Sequence, residues 1–196
     1  KANLKADITL MKKLRQKGRS YSIAETYTWG NQHGRNELLA TNVLETQQQL
    51  QDQVSTMAST AASTQTRFVY TEPLLKQKIL MEANYSFSYK TGEQDFNTYA
   101  PDSNHEEYNI QIDSLTNHFV TDVFTHRGGL RFRLQQKKYN LSVGMDVADA
   151  RFVQKNLTNA ISYDYTRFNI FPVFSMSYKF TSNSNLSVNY SGSTMQ

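Results

Sequence analysis

Cysteine is absent from the 196 residues, which excludes disulfides, thiolate metal sites and cysteine nucleophiles. This fits a secreted or envelope protein that avoids stray thiols. Long apolar runs are also missing. Mean hydropathy is −0.62, and no stretch approaches the roughly 18–20 apolar residues of a membrane helix. Helical spans are thereby excluded, but a transmembrane barrel is not, because its strands spend half their residues on a polar interior. Strong charge clustering is lacking too. The net charge is +4, spread along the chain with small knots around Lys12–Lys13 and Lys137–Lys138. Scattered lysines at turns are a solvated surface, so no nucleic-acid partner is expected.

Catalytic signatures are missing as well. There is no G-x-S-x-G elbow, no phosphate loop and no Ser-His-Asp arrangement. His33, His105, His118 and His126 share no metal-ligand spacing. The stretch 95–107 carries Asp95, Asn97, Asp102, Asn104, Glu106 and Glu107. Such oxygen density suits calcium, but the spacing is not that of an EF-hand and polar loops are acidic by default. No enzyme activity, cofactor or metal is expected.

What is present is alternation. Ile79, Met81, Ala83, Tyr85, Phe87 and Tyr89 are apolar, and Glu82, Asn84, Ser86, Ser88 and Lys90 between them are polar. Successive strand side chains point to opposite faces, so this strand has one greasy face and one wet face. Tyr139, Leu141, Val143, Met145 and Val147 repeat the pattern against Asn140, Ser142, Gly144, Asp146 and Ala148. A soluble sandwich and a membrane barrel both write such alternation.

Eight strands are predicted, at about 2–12, 19–29, 66–71, 77–90, 119–134, 139–151, 163–180 and 186–190. Pro73 is expected to break the third and Pro172 to interrupt the seventh. The connections alternate short and long, with long polar loops at about 30–65, 91–117 and 152–162. Tight turns at one end and long loops at the other are how outer-membrane barrels are built. A Greek-key sandwich has no reason to sort loops by end. Several strands exceed ten residues, where about five or six is usual in globular proteins and about 9–11 span a membrane when tilted. Within 37–57, Leu39, Val43, Leu50, Val54 and Met57 fall at helical spacing, which leaves a helical turn on the first long loop open. Both ends of the chain read as cut through strands, as in an internal fragment.

Tyr85, Phe87 and Tyr89 toward one end, and Tyr139, Tyr178 and Phe180 toward the other, suggest two interfacial aromatic girdles. Ile79, Met81, Tyr85, Phe87, Tyr139, Leu141, Val143 and Met145 are then expected to face lipid. Glu82, Asn84, Ser86, Arg131, Arg133 and Asp146 are expected to line the lumen, joined there by Asp149 and Arg151. The inward charges are expected to pair across strands more than to touch a substrate.

Several stretches carry a family resemblance. They are Tyr70-Thr71-Glu72-Pro73-Leu74 ahead of Asn84-Tyr85-Ser86-Phe87-Ser88-Tyr89, His126-Arg127-Gly128-Gly129-Leu130-Arg131-Phe132-Arg133, Phe171-Pro172-Val173-Phe174, and Asn185-Leu186-Ser187-Val188-Asn189-Tyr190. The chain resembles the outer-membrane β-barrel family of Bacteroidetes-type bacteria, related to TonB-dependent receptors, closely over about 67–196 and loosely before that. The resemblance implies an all-β, antiparallel up-and-down meander of about eight strands. It would be one segment, 1–196, of a barrel in the bacterial outer membrane. The implied partners are outer-membrane lipid, the remainder of the barrel, a plug domain, TonB coupling and a nutrient ligand. Two alternatives stay open: a non-transporting barrel that displays adhesion or assembly loops, and a soluble β-sandwich or lipocalin-like binding domain.

Overall fold

Extended segments leave every backbone N–H and C=O pointing sideways, so each strand must find neighbours. In the computed structural model they find them in sequence. The structure describes residues 1–44, 47–75, 78–104 and 107–193. Its strands are β1 (Ala2–Lys13), β2 (Ser20–Leu44), β3 (Gln47–Leu74), β4 (Ile79–Pro101), β5 (Tyr108–Gln111), β6 (Asn117–Gln135), β7 (Tyr139–Asn156), β8 (Ile161–Thr181) and β9 (Ser184–Ser191). They form one antiparallel meander in the order β1-β2-β3-β4-β6-β7-β8-β9, with β5 added beside β4. A single 3-10 turn, Asp113–Leu115, is the one helical element among the described residues. The sheet is an open arc edged by β1 and β9.

The pairing register brings the apolar positions of neighbouring strands onto one face. Leu10 pairs with Ile23, Ile23 with Phe68, Phe68 with Tyr85. Further along, Met81 pairs with Phe132, Phe132 with Val143, Val143 with Phe174 and Phe174 with Tyr190. A one-residue slip would turn each set to the other face, so the register is set by this match. The apolar face is bare in this chain: Met145 is 52% exposed, Leu130 49% and Val143 48%, and among the described residues no large side chain is fully buried. A soluble protein rarely leaves so wide an apolar surface uncovered.

The strands lean. The row that starts at Ser20, the lower end of β2, runs through Thr71, Glu82, Arg131, Gly144 and Val173. Val173 lies eight residues above the lower end of β8 at Thr181. For turns lying in one plane, eight residues at ~3.3 Å over five strand steps at ~4.8 Å is a tilt of roughly 45°, the lean that closes transmembrane barrels.

Three stretches expected to be loops are largely strand. In 30–65, β2 and β3 stay paired from Gly30–Ala61 to Leu44–Gln47. The possible helical turn in 37–57 is strand in its described residues, with Glu37 opposite Val54 and Leu39 opposite Asp52; Glu45 and Thr46 lie outside the described residues. In 91–117, β4 continues to Pro101 and β5 folds back on it. In 152–162, only 157–160 separate β7 from β8. Above the apolar band polar residues stand on both faces of a strand with only scattered apolar ones between them, so alternation fades while ladder bonding continues, and the Thr-rich composition supports strand without it.

Neither proline breaks its strand. Pro73 lies past the last β2–β3 pair, Ser20–Thr71, so its missing N–H faces no ladder there. Pro172 accepts a hydrogen bond from the Gly192 N–H at 2.9 Å. Its nitrogen points the same way, toward the place where β9 has just ended at Ser191.

Candidate functional site

The chemistry gathers on the polar face where β4, β6 and β7 run side by side. Three cross-strand rows build it: Glu82–Arg131–Gly144, Asn84–Gly129–Asp146 and Ser86–Arg127–Ala148. Asp146 is only 6% exposed. It accepts hydrogen bonds from Arg127 through Nε at 3.1 Å and Nη2 at 2.6 Å, and from Asn84 Nδ2 at 3.4 Å. The Arg127 guanidinium also sits 4.6 Å from the centre of the Phe171 ring. A carboxylate this enclosed needs such partners, since charge leaving water without them is costly. Beside it, Arg133 pairs with Glu82 at 3.2 Å.

Two glycines make the arrangement possible. A Cβ on Gly129 would lie 1.9 Å from Asp146 Oδ1, and one on Gly144 would lie 2.6 Å from the Leu130 carbonyl and 3.1 Å from Arg131 Cβ. Each glycine stands directly across from the long polar residue it makes room for: Gly129 from Asp146, Gly144 from Arg131. The result is a hollow of about 260 Å³ lined by Gln65, Arg67, Asn84, Ser86, Arg127, Arg131 and Asp146.

All six residues expected in the lumen, Glu82, Asn84, Ser86, Arg131, Arg133 and Asp146, share this polar face. All eight expected to meet lipid, Ile79, Met81, Tyr85, Phe87, Tyr139, Leu141, Val143 and Met145, share the opposite face. Asp149 and Arg151 do not join the inward group. They are an odd number of residues from Asp146, so alternation puts them on the apolar face, opposite His126 and Phe124. There Arg151 binds Asp164 through Nε at 2.9 Å and Nη2 at 2.5 Å. Those hydrogen bonds hold the Asp164 carboxyl below its ordinary value of 3.8. The inward pairing expected of Arg131 is not seen: its Nε is enclosed without a partner. Arg127, Arg67 and Phe171 are not among the residues expected to line the lumen. Counting by twos from Arg131 and Arg133 reaches Arg127, a signal available in the sequence. Arg67 needs the β3–β4 register, which sets it across from Ser86.

The apolar face has polar exceptions. Glu25 sits between Ile23 and Tyr27 on β2, and Thr64 and Thr66 each donate a hydroxyl to it at 2.5 Å. Tyr89 donates to Asp122 at 2.8 Å, and its ring stacks on Phe124 at 4.8 Å. Tyr85 shares a hydrogen bond with His126 Nδ1 at 2.8 Å.

Above the band, a small knot ties the stretch after β4 to β3. The Thr98 N–H donates to Thr116 Oγ1 at 3.3 Å, Thr98 Oγ1 donates to the Leu115 carbonyl at 3.2 Å, and Ser55 and Thr98 share a bond of 3.1 Å. Val54, Thr98 and Thr116 are buried there. Tyr108 donates to Asp52 at 2.9 Å. The acidic stretch 95–107 brings together no candidate ion site: among the described residues, no three His, Asp or Glu side chains are grouped as ligands. His105 and Glu106 lie outside the described residues.

A one-layer, tilted, up-and-down sheet with one apolar and one polar face is the wall of a membrane barrel. The chain belongs to the outer membrane protein beta-barrel family, whose pattern it matches over residues 12–196. It is a protein of the bacterial outer membrane. No curated protein matches the sequence. Among solved structures, the chain is similar to the ferric citrate transporter FecA in its unliganded form, at TM-score 0.66 and 11% identity, covering 95% of this chain and 26% of that one. It is similar to BauA, the ferric preacinetobactin receptor of Acinetobacter baumannii, at TM-score 0.65 and 11% identity, covering 95% and 29%. It is also similar to Fiu, the ferric-catecholate import receptor of E. coli K12, at TM-score 0.60 and 10% identity, covering 96% and 35%. The likeness is one of fold, and the chain spans about a third or less of each of these proteins.

Proposed function

We propose that this chain is a wall segment of a TonB-dependent-receptor-like importer of the outer membrane. The apolar face meets lipid, and the face bearing Glu82, Asn84, Ser86, Arg131, Arg133 and Asp146 lines the lumen. The prolonged upper strands stand outside the cell, where a nutrient arrives. The segment's own task is passive. Pairing satisfies the backbone between β1 and β9, as the bilayer core requires, the outer edges of those two strands are left for the remainder of the barrel, and the polar face lines a passage filled by a plug. The observation that carries the reading is the register-matched apolar face from β1 to β9. Ferric complexes are the first ligands to test, because the structural neighbours above are a transporter and receptors for them.

The test compares cells with and without the intact gene, with ferric citrate or a ferric catecholate as sole iron source. Import predicts slower iron uptake without the gene, and the same loss when energy coupling through TonB is removed. Unchanged uptake of every nutrient tried, with the protein at the cell surface, would leave display of surface strands as the function instead.

A further inference from the structure

We infer that the hollow on the polar face is an oxyanion site, built to take a carboxylate or phosphate group. The inference rests on reading that face as the lumen wall. Arg67, Arg127 and Arg131 converge on the hollow, while Asp146 is the one carboxylate lining it. Asp146 is already committed to Arg127 and Asn84. The nearby Glu82 is committed to Arg133. Among the described residues neither Arg67 nor Arg131 is ion-paired with a carboxylate, and the Arg131 Nε is enclosed with nothing to receive its hydrogen. An enclosed donor without an acceptor is costly, and an anion relieves that cost. The guanidinium fork suits a planar or tetrahedral oxyanion, and the Ser86 hydroxyl across from Arg67 adds a donor. Gly129 leaves room for the Asp146 carboxylate, and Gly144 allows the close approach of the Leu130–Arg131 backbone, so the placement of Asp146 and Arg131 is built into β6 and β7.

The anion has two possible sources, a soluble anion in the lumen or an acidic side chain of the protein's own plug, and one experiment separates them. Ser86→Cys is placed in the full-length protein in outer-membrane vesicles. It is reacted with a sulfonate-bearing and a trimethylammonium-bearing methanethiosulfonate, with the unsubstituted protein as background. A soluble-anion site makes the sulfonate reagent about tenfold faster, as expected of a cleft whose lining charge is net positive. Inorganic phosphate then slows the reaction, and Arg67→Gln with Arg131→Gln abolishes both effects. A plug carboxylate instead blocks both reagents until those two arginines are replaced. Arg67→Gln alone, which spares the Asp146–Arg127 pair, is the check against misfolding, alongside retained trypsin resistance. Equal rates for the two reagents, unmoved by either arginine, would overturn the anion site and leave the lumen reading standing. Silence in every background would also overturn it. A cysteine reached only by a bilayer-soluble maleimide would overturn the lumen reading itself.

Discussion

The lower wall and the upper strands of this sheet obey different rules. From Met81 to Lys90, from Leu130 to Leu134 and from Tyr139 to Val147, apolar and polar residues largely alternate and the register matches them strand to strand. Above Trp29 on β2 the same ladder continues, but His33, Arg35 and Glu37 occupy the positions that Tyr27 and Trp29 hold below. The lower wall is defined by two unlike surroundings on its two faces. The upper strands carry scattered apolar residues such as Leu39 and Phe96 with no regular alternation, and are held by backbone pairing and the knot around Thr98. Solvent, more than backbone, therefore writes the sequence pattern.

The largest break in this contrast comes from charge on the apolar face. Met145→Arg or Leu130→Arg should destabilise the full-length protein in lipid vesicles by about 2–4 kcal/mol, read by chemical denaturation. The matching change His33→Leu on the upper strands should move stability by less than about 0.5 kcal/mol. Next come the glycines. Gly129→Ala drives a methyl group into Asp146, and Gly144→Ala one into the Leu130 carbonyl; each should cost about 1–3 kcal/mol in the same assay. Gly92→Ala in the upper part of β4 meets nothing nearer than 4.0 Å and should be nearly silent. A smaller effect belongs to Thr98→Val, which removes the hydroxyl bonds to Leu115 and Ser55. About 1 kcal/mol of local stability is expected to go, seen as faster proteolysis within 102–116 while the membrane band stays resistant.

The smallest effect is one of pH. Arg151 holds the Asp164 carboxyl below 3.8, so the folded pKa is depressed. The pair's contribution is present above 3.8 and fades as pH falls through the lower, folded value. Hydrogen exchange at the β7–β8 end should quicken in that acid window. In Arg151→Gln the exchange there should no longer follow this titration.

The meander, the strand centres and the two faces were legible because alternation over 77–90 and 139–147 is a direct imprint of two surroundings. The full strand lengths were not. Between Asn31 and Thr60 no residue pattern marks strand, since pairing alone holds it, and the chance spacing of Leu39, Val43, Leu50 and Val54 imitated a helix. Pro73 and Pro172 read as breaks because the sequence does not show which side of each strand lacks a partner. At the candidate site, parity found Asn84, Arg131 and Asp146, and parity misapplied placed Asp149 and Arg151 with them. Arg67 was beyond reach, because its place beside Ser86 depends on a register between distant segments.

Nitroxide labels placed singly from Met81 to Ser88 in the full-length protein, reconstituted in lipid, test the central claim most directly. Collision with oxygen should peak at Met81, Ala83, Tyr85 and Phe87, and collision with a water-soluble nickel chelate at Glu82, Asn84, Ser86 and Ser88. A period of two with opposite phases is the signature of lipid on one face and a wet lumen on the other. Uniformly low oxygen collision at the odd positions would mean that the apolar face is buried in protein, and this strand would not be the wall of a membrane barrel.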